Sequence, residues 1–171
     1  MNMEREVVRI DITIPIEIKE ISEKEVKNKE AKIIGDIPLF SYITVKDTMD
    51  EALNNWLKLI NAKLDYIISF LLKEKEGFYA LPEKKVNFSE KGLRTTINYP
   101  IKVGNFVEIK LILDLYQPIG FYLYGKVVRC NPKNGEYEIA VEFINIPPDI
   151  RDKISLYILN KQRELIRKRY S

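Results

Sequence analysis

Two short groups of residues carry the chemistry this chain could do. The first is Asn87-Phe88-Ser89-Glu90-Lys91-Gly92, which brings a side-chain amide, a hydroxyl and a glycine backbone close together. Asn and Ser can hydrogen-bond a polar ligand or their own turn. Gly allows close approach of a ligand and adopts positive φ at little cost. The second is Arg5-Glu6-Val7-Val8-Arg9. Arginine offers a planar, bidentate fork that fits phosphates and the O6/N7 edge of guanine. Each group also has an ordinary reading: a polar turn in the first case, two solvated surface arginines in the second.

The remaining composition narrows the chemistry. Histidine is absent, which removes the commonest general base and metal ligand and every His-dependent triad. The single cysteine, Cys130, excludes an internal disulfide and a Cys-cluster metal site. None of the seven glycines belongs to a P-loop or a G-x-G-x-x-G run. No metal or cofactor is expected, and an enzyme is the weaker expectation. A net charge of +3 is too small to argue for non-specific nucleic-acid binding. No apolar run reaches membrane-spanning length, and charges recur from Glu4 onward without a signal peptide, so the expected location is the cytoplasm. A chain of 171 residues, 46% hydrophobic, can build one domain with a real core.

Strands and helices must position these groups. Val8, Ile10, Ile12, Ile14, Ile16 and Ile18 share one parity; Arg9, Asp11, Thr13, Pro15 and Glu17 share the other. That is the period-2 signature of a half-buried strand over 7–18. Pro15 cannot donate to a ladder and suggests an edge or a bulge. Arg5 has the parity of Arg9, so both forks leave the polar side if the strand reaches that far; otherwise residues 1–6 are an arm beside it. Residues 19–31 read as a loop or short surface helix, and the apolar stretch from Ile33 to Phe40, broken by Gly35 and Pro38, as a partial cover for the core.

A helix is expected from Asp47 or Thr48 to about Lys75, stopping before Gly77. Its apolar residues Leu53, Leu57, Ile60, Leu64, Ile67 and Leu71 step by four and three, a heptad stripe with Leu at a and Ile at d. That combination favours trimers or tetramers over dimers. A helix facing the core of its own domain gives much the same pattern, and both readings stay open here. After Gly92 the period-2 pattern returns. Turns are expected at Pro100, Gly104-Asn105, Pro118 to Gly120 and Asn134-Gly135, which suggests a small antiparallel barrel. Pro147-Pro148-Asp149 opens a last helix, with Ile150, Ile154, Tyr157, Ile158, Leu165 and Ile166 as candidate core contacts and a solvated basic end.

Taken together, these pieces resemble the PilZ domain family. Its pattern is R-x-x-x-R ahead of a strand, [D/N]-x-S-x-x-G, a six-stranded barrel and a C-terminal helix. Arg5 to Arg9 and Asn87 to Gly92 match the two motifs. Gly125-Lys126-Val127-Val128-Arg129, Ala140-Val141-Glu142-Phe143 and the stretch from Ile150 to Ile158 look like its later strands and last helix. The departure is spacing: Arg9 and Asn87 lie 78 residues apart, where most of the family has a few tens. The intervening helix looks like that of a branch in which an inserted heptad helix assembles the barrels into tetramers and some members lack the nucleotide-binding motifs.

The resemblance implies one domain over 1–171, mainly β with α, with 21–80 as an inserted loop plus oligomerisation helix. It implies a cyclic di-GMP receptor, a homotetramer with a downstream protein partner. Arg5 and Arg9 would hold phosphates and guanine edges, Asn87 and Ser89 would hydrogen-bond guanine or ribose, and Gly92 would permit close backbone approach. The competing expectation is an oligomeric scaffold on the same fold that binds no nucleotide.

Overall fold

The computed structural model describes residues 7–36 and 47–171. Arg5 and the Ile37–Phe40 part of the expected core cover lie outside the described residues. Strand β1 (Arg9–Ile21) carries the alternation of its isoleucines into the structure: Ile10, Ile14, Ile16 and Ile18 are buried, while Arg9, Asp11 and Glu17 face solvent. It is longer than the expected 7–18. It pairs antiparallel with β3 (Glu83–Ser89) through Pro15 and with β5 (Phe106–Asp114) from Ile16 onward. Pro15 therefore sits where the strand leaves one partner and takes the next, a position that tolerates the missing N–H.

Strand β3 was not visible in the sequence pattern. Glu83, Lys84 and Lys85 leave only Val86 and Phe88 as buried apolar markers, too few to show a period. Asn87 is consequently a strand residue, and Ser89 to Gly92 is the hairpin into β4 (Gly92–Ile97). β4 pairs with β7 (Glu136–Ile144), β7 with β6 (Pro118–Lys133), and β6 with β5. The six strands β1, β3, β4, β7, β6 and β5 close into an antiparallel barrel. Asn134 and Gly135, at φ 49° and 80°, make the expected hairpin between β6 and β7. A seventh strand, β2 (Lys32–Ile34), lies on the outside of β6. The break expected at Pro118 to Gly120 is instead the start of β6. A first-position proline costs no ladder bond, and a Cβ on Gly120 would come within 2.9 Å of the Phe78 ring.

The barrel interior is filled by Val107, Ile109, Leu111, Leu113, Phe121, Leu123 and Ile139 among others. Helix α3 (Pro148–Arg169) packs onto it with Ile150, Ile154, Tyr157 and Ile158; the Tyr157 ring meets Phe88 edge-on at 6.3 Å. Leu165 and Ile166, expected in the core, are 43% and 54% exposed. They belong to the part of α3 beyond its buried residues, which end at Ile158.

The polar stretch after β1 holds a one-turn helix, α1 (Glu23–Val26), closed by a Ser22–Glu25 capping box. The long helix α2 (Glu51–Lys75) begins slightly later than expected. The Asp50 side chain caps it, accepting from the Leu53 N–H at 3.2 Å. It stops at Glu76, and Gly77 turns the chain at φ 77°. Only Ser69 and Lys73 of α2 are buried against the barrel side. The six heptad residues are 46–55% exposed, so the stripe does not face the core of its own domain.

Candidate functional site

The barrel register brings the two sequence motifs together. Arg9 lies opposite Ser89 and Asp11 opposite Asn87 on paired strands. Facing side chains on neighbouring strands sit within about 5 Å. The Arg9 Nη1 donates to Asn87 Oδ1 at 3.2 Å, across 78 residues of chain. The β3–β4 hairpin sets Asn87 opposite Arg94, whose Nη2 donates to the same oxygen at 3.2 Å. The Asn87 amide then donates from Nδ2 to Asp11 Oδ1 at 2.8 Å. An amide oxygen has two lone pairs, and both are engaged by guanidinium groups here.

Ser89 and Gly92 serve the turn itself. Ser89 is wholly buried. Its Oγ accepts from the N–H groups of Lys91 at 3.3 Å and Gly92 at 3.2 Å, and donates to the Gly92 carbonyl at 3.1 Å. A Cβ on Gly92 would fall 2.1 Å from the Val141 carbonyl oxygen, so the close approach this glycine permits is that of β7. Its backbone still contributes to the wall of the groove described next.

That groove, of about 590 Å³, opens beside the hairpin. Arg9, Lys91, Arg94 and Arg129 line it, with Glu142 as the facing carboxylate. A second groove of about 760 Å³ lies on the other side of the Asn87–Arg94 pair and includes Asp11, Lys85, Lys133 and Glu138. Glu138 takes Lys133 at 2.9 Å and Arg129 at 3.6 Å. The Lys133 hydrogen bond and charge, with weaker help from Arg129 and Arg94, hold its carboxyl below the usual carboxylate range. The first groove keeps a clear excess of positive charge, suited to a multiply charged anion.

Of the residues singled out in the sequence, Arg9 lines the first groove and Asn87 the second, joined by their hydrogen bond, Ser89 and Gly92 build the turn between β3 and β4, and Arg5 lies outside the described residues. Sequence reading missed Lys91, Arg94 and Arg129. Arg94 had a signal: it and Asn87 are equally spaced about the turn at Glu90-Lys91, a relation that appears once β3 is recognised. Arg129 had none, because an irregularity between Val127 and Arg129 shifts its register against β7. Among the described residues no group of three or more His, Cys, Asp or Glu side chains could hold a metal ion. No helix among them is long and apolar enough to cross a membrane.

The model of the PilZ domain family matches residues 65–160. This takes in the whole of Asn87 to Gly92 but not β1. A solved structure of a pathogenic protein from Xanthomonas campestris superposes with a TM-score of 0.64 at 14% sequence identity, covering 95% of this chain and 92% of that one. That protein is described as a tetrameric PilZ domain self-assembled through an unusual helical bundle. No curated protein matches the chain.

Proposed function

The chain belongs to the PilZ domain family, and from that premise we propose that it is a cyclic di-GMP receptor assembled into tetramers through α2. The observation that carries the receptor reading is the Arg9–Asn87 hydrogen bond. It joins the two motifs at 3.2 Å, from a groove that Arg9 lines with Lys91, Arg94 and Arg129 to the Asn87 amide, which lines the second groove. A dianionic ligand with two guanines needs guanidinium forks for phosphates and O6/N7 edges, and neutral polar groups for the rest. Arg9 supplies one fork and Arg5, four residues earlier, the second. Asn87 supplies the amide, and Ser89 and Gly92 fix the hairpin that presents it. The chain then signals to a partner by a shift between free and bound conformations, with no chemistry on the nucleotide.

Calorimetric titration with cyclic di-GMP against cyclic GMP tests this. Saturable binding of the dinucleotide at micromolar protein, with cyclic GMP far weaker, supports it. Equal binding of both, or neither, overturns it. A second reading has its own support: the Ser89 hydroxyl and the close approach at Gly92 serve the hairpin, and the α2 stripe is exposed. On that reading the protein is an oligomeric scaffold. Absence of nucleotide binding in a protein that still assembles would favour it.

A further inference from the structure

The two motifs leave Arg94 and Arg129 without a role, and of these Arg129 has a carboxylate partner in Glu138. Arg94 stands on β4, two residues past the motif glycine, and is, among the described residues, the one side chain that lines both grooves. Its described hydrogen bond goes to a neutral amide, Asn87 Oδ1. The nearby carboxylate Glu138 is taken by Lys133 and Arg129. Its Nε is buried and has no hydrogen-bond partner among the described residues. Buried polar groups are nearly always paired, and a guanidinium group carries five donors in a fixed fork.

Arg9 differs in the respect that matters. It is exposed, so water solvates its charge in the free protein. Arg94 is half-buried and faces no carboxylate within ion-pair distance among the described contacts. A partly desolvated cation gains most from an arriving anion, because less water has to be stripped from it and the local dielectric is lower. Its alignment by Asn87 reduces the ordering that binding would otherwise require.

We infer that Arg94 is a third anion-binding arm of this site, turning its fork onto a phosphodiester oxygen of the bound dinucleotide. The inference rests on the receptor reading above. Two measurements test it with cyclic di-GMP as the probe: calorimetry on wild type, Arg94→Gln and Arg94→Lys, and the ¹H–¹⁵N Nε–H resonance of Arg94, assigned by its loss in Arg94→Lys. Expected are a weakening of about tenfold or more for Arg94→Gln, which is one decade in Kd, only partial rescue by Arg94→Lys, and a ligand-dependent shift of the Nε–H resonance in wild type. If wild type binds, but the resonance stays fixed through saturation, the inference is overturned while the receptor reading stands. That holds even if Arg94→Gln is weak, since Arg94 would then act only through the fold. If wild type does not bind, both are overturned. The shift is read on the unaltered protein, and its assignment by Arg94→Lys, which keeps the charge, is repeated by residue-specific ¹⁵N-arginine labelling and through-bond correlation in wild type, so a misfolded variant leaves the test intact.

Discussion

An amide oxygen can seat two donors, and Asn87 Oδ1 does so for Arg9 and Arg94 while its Nδ2 leans on Asp11. Asn87 thereby sets the spacing of two cations that would otherwise repel. Arg9 and Ser89 belong to one motif pattern but answer to different physics. A bound dinucleotide would cover Arg9, and truncating one partner of a charged hydrogen bond desolvated in this way costs about 2–5 kcal/mol. Arg9→Ala is therefore expected to weaken cyclic di-GMP binding by roughly 30-fold or more, at 1.4 kcal/mol per decade. Arg167→Ala, on the exposed end of α3, is the control and is expected to change little. Titration of the two variants side by side checks this, and equal weakening would reduce the attraction to diffuse charge. Ser89→Ala removes the acceptor for the N–H groups of Lys91 and Gly92. Leaving buried donors unpaired costs about 1–3 kcal/mol. Its expected signature is a lower denaturant midpoint with binding reduced only as far as the hairpin loosens. Unchanged stability with lost binding would instead place Ser89 in direct contact with the ligand.

At the scale of elements, α2 is defined by what it does not touch. Leu53, Leu57, Ile60, Leu64, Ile67 and Leu71 form one stripe, about half exposed along its length, while Ser69 and Lys73 meet the domain from another side of the helix. An apolar stripe this long on a lone helix is unfavourable in water, and the proposed assembly would bury it against other helices. Ile60→Asp with Leu64→Asp places charges in that seam. It is expected to yield smaller species by light scattering, with the far-ultraviolet signature of the barrel kept. A monomeric mass for wild type would end the assembly reading. The heptad spacing was legible in the sequence, but its direction was not, because a stripe has the same period whichever surface it meets. The alternations of β1, β5 and β7 were legible for the opposite reason: one face of each is buried in the barrel, and period 2 names that face; in β6 residues 119–125 are buried on both faces, Tyr122 and Tyr124 included. β3 escaped because its first half is charged and its second half is the motif itself. The turn roles of Ser89 and Gly92 escaped too, since a hydroxyl and a glycine look alike in sequence whether they serve a ligand or the chain.

At the scale of the whole molecule, the meeting of Arg9 and Asn87 across 78 residues of chain was legible only through family resemblance; pairing between distant strands leaves no local trace. Residues 21–80 meet the barrel through the pairing of β2 with β6 and the packing of Phe78 on Tyr122, and α2 adds a small buried junction. Ser69 Oγ donates to the Gly35 carbonyl at 2.6 Å, and Lys73 Nζ donates to the Pro118 carbonyl at 2.7 Å. A Cβ on Gly35, which sits at φ +82°, would fall 2.9 Å from Ser69 Oγ and 3.0 Å from Lys73 Cγ, so the contact is tight. Lys73 is 4% exposed, and burial holds its ammonium pKa below the ordinary 10.5. The sign of its effect on stability follows from that direction. Well below the lowered folded value, Lys73 is charged in both states, and the folded state carries the desolvation cost. Between that value and 10.5 the folded chain has released the proton and the unfolded chain still holds it. Stability rises with pH wherever the unfolded state binds more protons, so this contribution is unfavourable at neutral pH and fades as pH climbs toward 10.5. Lys73→Met keeps the stem and removes the charge. The stability of wild type relative to Lys73→Met, from urea unfolding at a series of pH values between neutral and 10.5, is therefore expected to increase toward the alkaline end. Differencing the two chains cancels the tyrosines that titrate in the same range. Parallel curves would mean that Lys73 keeps its charge solvated, and that the junction between α2 and the barrel is open to water rather than sealed.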